Sequence, residues 1–202
     1  MRKRYDIVGA VLAGGKSTRM GSDKALLPVQ GRPMIQIVAE TLSHVFSDVI
    51  VAGGQADQFE YLRLPVIPDL FSGCGPMAGI HAALSYSKPS PIFILSCDTP
   101  FIPAELVRYI IDFESDFPTK IAQYDNEVQP LCGLYDASCL PQFQRDLENG
   151  KFSVVKSLDT IDFEPVPISP EQAFFNPNIF RNINRPEDYH SIPTLKPGKV
   201  NG

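Results

Sequence analysis

A glycine-rich and cationic segment, VLAGGKSTRMGSDK, occupies residues 11–24. Adjacent glycines let backbone N–H groups approach an anion closely, and cationic side chains add attraction. Gly14 and Gly15 supply the first feature, and the cations are Lys16, Arg19 and Lys24. The segment therefore predicts a phosphate-binding loop. Ordinary turn chemistry would leave the clustering of the cations unexplained.

Two well-known phosphate-binding motifs do not fit this loop. The Walker motif G-x-x-x-x-G-K-[ST] ends correctly at Gly15-Lys16-Ser17, but Ala10 stands where its first glycine belongs. Ala10 also falls inside the apolar run that we assign to the first strand. The dinucleotide fingerprint G-x-G-x-x-G is absent. A P-loop GTPase or ATPase is therefore a weaker alternative.

The pattern L-A-G-G-x-S-x-R-M-G-x-D-K resembles the signature loop of the nucleotidyltransferase superfamily with a glycosyltransferase-A-like fold. LAGG followed by MGSDK is most similar to the molybdenum cofactor guanylyltransferase family. Cytidylyl and sugar-nucleotide relatives more often have a different residue at the position of the second small residue, or a motif whose spacing ends in the residues PK. The matching residues are Leu12, Ala13, Gly14, Gly15, Arg19, Met20, Gly21, Asp23 and Lys24.

The resemblance extends from about Ile7 to Tyr189. The segment VIPDLFSGCGPMAGI is similar to the family's aspartate followed by a G-P-L-A-G helix start. This similarity implies that Asp69 lies near the base or ribose of the nucleotide, with residues 76–79, including Gly79, beside it. LSCDTPFIP resembles the C-D-x-P element, which implies a metal-binding role for Asp98. FRNINRPED resembles F-x-N-x-N-x-P-E-[DE], and the residues expected to face the pterin-side substrate are Asn182 and Asn184.

One stretch departs from the family pattern. Ala52-Gly53-Gly54 stands where the family often has asparagines. Any guanine contact at this place must therefore come from backbone groups or from another loop.

The resemblance implies transfer of GMP from GTP to the phosphate of molybdopterin, which forms the guanine dinucleotide cofactor and pyrophosphate. The implied catalytic residues are Lys24, Arg19 and Asp98, and the nucleotide-binding residues are Leu12, Ala13, Gly14, Gly15, Lys24, Asp69, Gly79 and Asp98. The expected cofactor is Mg²⁺, held by Asp98, because Mg²⁺ favours one or two carboxylates with phosphate oxygens and waters. Proteins that deliver the cofactor, or apoenzymes that accept it, are the expected protein partners.

Asp98 also has a simpler interpretation. It follows the apolar run IFILS with one residue, Cys97, between them, so its carboxylate is expected at the strand end where open α/β sheets hold ligands. An aspartate at that place can instead cap a helix or form a turn. We favour metal binding.

The sequence shows no Ser/His/Asp or Cys/His constellation. None is required, because a phosphate monoester has a second pKa near about 6 and is already largely ionised at neutral pH. The three histidines are scattered and the four cysteines lack metal-ligand spacing, so we expect buried thiols, and histidines that are structural or solvated.

Three alternatives remain open besides guanylyl transfer to molybdopterin. A nucleotidyltransferase of the same fold could act on another acceptor, such as a sugar-1-phosphate or an isoprenoid phosphate, or make the cytidine form of the molybdenum cofactor. A P-loop nucleotidase would release phosphate without an acceptor. A silent nucleotide-binding or scaffold protein would bind nucleotide without turnover.

The elements that position these residues follow a strand-helix alternation. Apolar runs predict strands at 7–12, 49–52, 64–67, 92–95, 120–124 and 131–135. Helical patterns lie at 33–45, with Pro33 in the first turn, and at 77–86, 103–113 and 139–149, the last closed by Gly150. We predict a three-layer α/β/α, Rossmann-like fold with a mostly parallel sheet covered by helices on both faces.

The domain is predicted to span residues 1–190, with a short last helix from Pro186 and a flexible tail at 191–202. At 202 residues the chain suits one domain. It contains no apolar run long enough for a membrane helix and no signal-peptide core, so we expect a cytoplasmic protein without a membrane partner.

The charge distribution is uneven. The net charge of −5 argues against nucleic-acid binding. Residues 1–32 nevertheless hold seven basic and two acidic side chains. A local cationic patch on an acidic protein favours a compact polyanionic ligand.

Overall fold

The computed structural model describes residues 6–13, 24–184 and Asp188. Its main sheet has seven strands: β1 (Val8–Leu12), β4 (Asp48–Ala52), β5 (Val66–Ile67), β6 (Ile92–Ser96), β7 (Lys120–Tyr124), β8 (Glu127–Tyr135) and β9 (Glu164–Pro167). A separate hairpin pairs β2 (Pro28–Val29) with β3 (Arg32–Pro33). The described residues thus form one large sheet and one small hairpin.

The strand order of the large sheet is β5-β4-β1-β6-β8-β7-β9. β1 lies between β4 and β6 and runs parallel to both. β8 is antiparallel to both its neighbours, β6 and β7, while β9 is parallel to β7. The chain therefore turns to opposite sides of β1 when it forms β4 and β6. Open α/β sheets hold their ligands in the crevice that such a switch creates at the carboxyl ends of the strands.

Five α-helices within the described ranges cover the sheet: α1 (Met34–Ser43), α2 (Pro76–Ser87), α3 (Ala104–Asp112), α4 (Leu140–Glu148) and α5 (Val154–Leu158). Buried residues of α1 and α3 join Val11 of β1 in one core cluster. Buried residues of α2, α4 and α5 join Ala10 of β1 in a second cluster. Successive strand residues face opposite sides of a sheet, so the two clusters lie on its two faces. The predicted three-layer architecture is confirmed.

Most predicted elements agree with the structure within a few residues, and the differences concern Pro33, β8, α5 and β9. Pro33 lies one residue before α1 instead of in its first turn, because it pairs with Pro28 in the hairpin. β8 begins at Glu127, four residues before the predicted start at 131. The sequence does not predict α5, because five residues are too short for a clear helical periodicity. It does not predict β9 either, because two of the four residues of β9 are prolines, which argue against a strand.

Two expectations lie outside the described residues. They are the short helix from Pro186 and the tail at 191–202. Among the described residues, no helix is long and apolar enough to cross a membrane.

Gly133 allows β7 and β8 to pair closely beside β6. A Cβ at Gly133 would lie 2.7 Å from the carbonyl oxygen of Lys120 and 3.0 Å from the Cα of Ile121. Both are backbone atoms of β7, so they can move away only if the pairing shifts. Since β8 also pairs with β6, the absence of a side chain here maintains the sheet that carries the candidate site.

We expect Gly133→Ala to lower the free energy of unfolding by about 1–3 kcal/mol, because the methyl group must displace strand backbone. Urea denaturation measures the loss. Glu127→Ala, at the exposed first position of the same strand, is the control and should change stability by less than about 0.5 kcal/mol. Equal stability of Gly133→Ala and the wild type would show that the pairing tolerates a methyl group.

Candidate active site

Backbone hydrogen bonds align the carboxyl ends of the three central strands. The N–H of Ala13 donates to the carbonyl oxygen of Ala52, just after β1 and at the end of β4, at 2.9 Å. The N–H of Cys97 donates to the carbonyl oxygen of Leu12 at 3.1 Å. The segments that follow β1, β4 and β6 therefore begin side by side.

A first group of predicted site residues gathers around the start of α2. A Cβ at Gly79 would lie 3.1 Å from Leu12 Cδ2, 3.7 Å from the Ala52 carbonyl oxygen and 3.8 Å from Asp69 Oδ1. Leu12, Asp69 and Gly79, predicted from separate segments of the sequence, thus lie together. A larger residue at position 79 would press on Leu12 and narrow the space beside Asp69.

Asp69 carries an unusual carboxylate. Its Oδ1 atom is buried and has no hydrogen-bond partner in the described part of the chain. Burial raises the pKa of this carboxyl above its usual value of 3.8. A buried acceptor without a donor lowers stability, so such an atom in a crevice indicates a place where a ligand supplies the donor.

A second group joins Lys24 to Asp98. Lys24 begins a single 3₁₀ turn, Lys24–Leu26, and its Nζ atom lies 2.6 Å from Asp98 Oδ2. The same Nζ donates a hydrogen bond to Asn184 Oδ1. The two charged side chains are 24% and 16% exposed, so this ion pair is only partly solvated. The Lys24 ammonium and the Asp98 carboxylate, two residues beyond the end of β6, therefore meet.

The structure excludes a helix cap as the role of Asp98. The next helix, α3, begins at Ala104 with Pro103 at its N-cap. The turn after β6 is closed by Thr99, whose Oγ1 donates to the carbonyl oxygen of Ser96 at 3.0 Å. The Asp98 carboxylate points instead toward Lys24.

The residues around Asp98 fit a magnesium ion bound together with a phosphate ligand. Within the described ranges, no three His, Cys, Asp or Glu side chains form a metal cluster. Mg²⁺ does not need such a cluster, because it binds through one or two carboxylates and completes its shell with phosphate oxygens and waters. Asp98 offers the carboxylate, and Lys24 beside it offers a charge that attracts phosphate.

Comparison with known proteins agrees with this geometry. Residues 9–161 match the family model described as the MobA-like NTP transferase domain. The chain belongs to this family. A curated relative named probable molybdenum cofactor guanylyltransferase, from Pelotomaculum thermopropionicum, is 35% identical over 89% of this chain and 88% of its own length. A molybdenum cofactor guanylyltransferase of Yersinia pestis is 32% identical over 91% of this chain and 93% of its own.

Solved structures support the same family and fold. The molybdopterin-guanine dinucleotide biosynthesis protein A of Archaeoglobus fulgidus superposes with a TM-score of 0.76 at 26% identity, covering 91% of this chain and 95% of that one. The 4-diphosphocytidyl-2C-methyl-D-erythritol synthase of Anaerococcus prevotii superposes with a TM-score of 0.69 at 12% identity, covering 92% and 95%. This second likeness confirms the nucleotidyltransferase fold alone.

The remaining predicted site residues of this MobA-like chain lie in the segment after β1 and near position 184. Gly14, Gly15 and Arg19 lie outside the described residues. Asn182 is exposed, and its predicted contact with the pterin side stays a prediction. Asn184 contacts Lys24.

The histidines and cysteines of the described ranges have no catalytic arrangement. His81 is buried, and its ring lies edge-on to Phe71 with the centroids 5.1 Å apart. Cys97, Cys132 and Cys139 are buried, as expected, whereas Cys74 is only partly buried.

The departure at residues 52–54 has a structural explanation. Gly53 and Gly54 have φ of 84° and 77°, values that disfavour side chains. The Gly53 N–H already donates to the carbonyl oxygen of Ile67 at 2.9 Å. A Cβ at Gly54 would lie 2.5 Å from the ring of Phe59. Asp69, on the neighbouring loop, is thus the better candidate for base recognition.

Sequence reasoning missed the contact that holds Ile183 and its neighbours, residues 182–184, beside Asp98. The Ile183 N–H donates to the carbonyl oxygen of Asp98 at 2.9 Å. The Ile183 side chain is buried against Val29 of the hairpin and Met34 of α1. One apolar residue between two asparagines was the only signal, and it could not specify this distant contact.

We expect Asp69→Asn to stabilise the protein near pH 7, because a carboxyl whose pKa is raised by burial makes the folded state less stable when charged. The advantage should shrink as the pH falls through the raised pKa toward 3.8, where the wild-type carboxyl is protonated. Urea denaturation at about pH 7 and about pH 4 measures both effects.

Asp57→Asn is the matched control, because Asp57 is exposed. It should change stability by less than about 0.5 kcal/mol. A loss of stability in Asp69→Asn near pH 7 would show that the Asp69 carboxylate has a stabilising partner.

Proposed function

We propose that this chain transfers GMP from GTP to the terminal phosphate of molybdopterin and releases pyrophosphate. The observation that carries the proposal is the ion pair between Lys24 and Asp98 just beyond the carboxyl end of β6. β6 pairs with β1, whose last residue Leu12 belongs to the Leu12–Asp69–Gly79 group. Two relatives above 30% identity over most of their length have this activity in their names. The product would pass to apoenzymes that require the dinucleotide cofactor.

The proposed reaction needs little covalent chemistry from the protein. A molybdopterin phosphate oxygen attacks the α-phosphorus of GTP in line, the new P–O bond forms, and the bond to the β-phosphate oxygen breaks. The electron pair leaves with pyrophosphate. The attacking phosphate is already ionised at neutral pH, so a general base would add little. Catalysis then depends on positioning and on charges placed beforehand.

Lys24 and Asp98 would have complementary roles. The Lys24 ammonium would neutralise charge that develops on the triphosphate oxygens. Asp98 would hold Mg²⁺, which when bound supplies Lewis-acid polarisation of a phosphoryl oxygen. The glycine N–H groups and Arg19 of the loop would bind the remaining phosphates.

Asp69 would contribute to the choice of base. Guanine presents N1–H and N2–H₂ as adjacent donors, whereas cytosine presents its N4–H₂ donor beside the N3 acceptor. The buried Oδ1 acceptor of Asp69 lacks a donor in the described residues. Two adjacent donors satisfy a carboxylate better than one donor next to an acceptor, which supports GTP over CTP.

Mass spectrometry of the products tests the proposal. The protein is incubated with Mg²⁺, molybdopterin and each of GTP, CTP, UTP and ATP, and we expect the dinucleotide cofactor and pyrophosphate mainly from GTP. Preference for CTP would replace the guanylyl assignment with a cytidylyl one. Phosphate release without acceptor would indicate a nucleotidase, and binding without pyrophosphate release would indicate a silent nucleotide-binding protein.

Lys24→Met tests the proposed catalytic cation, because methionine keeps much of the side-chain volume and removes the charge. We expect kcat to fall about a few hundred-fold, which corresponds to roughly 2–4 kcal/mol of lost transition-state stabilisation. Steady-state pyrophosphate release measures the rate.

Arg32→Met removes another of the seven basic side chains of residues 1–32 and is the control. Arg32 is exposed and pairs with Glu40 at 2.6 Å, away from Asp98. It should keep nearly the wild-type rate. A folded Lys24→Met protein with wild-type kcat would refute the role of Lys24.

A further inference from the structure

We propose that Asn184 is a positioning residue that acts on Lys24, and that it does not bind the acceptor directly. This inference rests on the proposed function. It assigns Asn184 differently from the family resemblance, which implies a contact with the pterin-side substrate. The observation that carries it is the hydrogen bond from Lys24 Nζ to Asn184 Oδ1.

The contact restricts the direction of the ammonium group. Lysine Nζ carries three donors in a tetrahedral arrangement. One points to Asp98 Oδ2 and a second to Asn184 Oδ1, so the direction of the third is defined as well. A lysine held by Asp98 alone could still rotate about that single contact.

Asn184 is well placed to hold Lys24 because its own N–H and the residue before it are both anchored. The Asn184 N–H donates to Asp188 Oδ2 at 2.8 Å. The preceding residue, Ile183, is 1% exposed and bonded through its N–H to the carbonyl oxygen of Asp98. The side-chain oxygen of Asn184 is therefore presented from a fixed segment.

The side-chain amide of Asn184 is chemically suited to hold the Lys24 ammonium throughout the reaction. The ammonium requires an acceptor, so the oxygen of the amide must face it. That oxygen carries no net charge and leaves the positive charge of Lys24 available to phosphate. Asp98, by contrast, is the carboxylate proposed to hold the metal. Asn184 can thus keep Lys24 in place while the charged groups around the lysine change partners.

The experiment measures nucleotide binding in the absence of acceptor, by calorimetric titration of the full chain with GTP and Mg²⁺. We expect Asn184→Ala to weaken GTP binding about tenfold, as for the loss of a hydrogen bond to a charged group. A residue that touches only the pterin would leave this titration unchanged. Asn149→Ala, an exposed asparagine at the end of α4, is the matched control and should bind GTP as the wild type does.

A second variant and a double-mutant cycle separate positioning from structural damage. Asn184→Asp should weaken GTP binding more than Asn184→Ala, because its carboxylate pairs with Lys24 and repels the triphosphate. In a Lys24→Met background, Asn184→Ala should cause no further loss, since its effect passes through the lysine. Thermal unfolding midpoints of the variants should stay close to that of the wild type.

Three results would overturn the proposal for Asn184. They are unchanged GTP affinity with a raised KM for molybdopterin, an undiminished effect in the Lys24→Met background, and a loss of affinity that follows only a loss of stability. Failure of the proposed function has a different signature, because the wild-type chain would then fail to bind GTP or to form the dinucleotide.

Discussion

The partly buried ion pair between Lys24 and Asp98 is the interaction on which the candidate site depends. Removing either charge from water is unfavourable unless a partner compensates it, so each side chain favours the position of the other. Asn184 adds a neutral acceptor to the same ammonium. Three segments that are far apart in the sequence thereby converge on one cationic atom.

The sheet makes this convergence possible. β1 has parallel neighbours on both sides, and the chain reaches them by crossing over opposite faces of the sheet. The carboxyl ends of β1 and β6 consequently open into the same crevice, where backbone N–H and carbonyl groups and side chains become available together. The β2–β3 hairpin and α1 bury Ile183, which brings the late Asn184 segment to the same edge.

The same edge contains a feature that opposes stability. Asp69 buries an acceptor without a donor from the described chain. Such features persist where function favours them, and variants that remove them tend to stabilise a protein at the expense of activity. Asp69 is an example, because its buried carboxylate is expected to lower the stability of the folded state and to contribute to the choice of base.

The amino-acid sequence by itself determined the central architecture and named candidate residues for the site. Continuous apolar runs predict β1 and β6, a helical pattern predicts α2, and the glycine-rich cationic segment with Asp98 indicates phosphate chemistry, because these signals are local. Only the tertiary structure decided the positions of β9, α5 and the β2–β3 hairpin, whose few residues have no clear periodicity. It also decided the contact between Lys24 and Asn184, which are 160 residues apart, since packing of Ile183 and not local sequence brings them together.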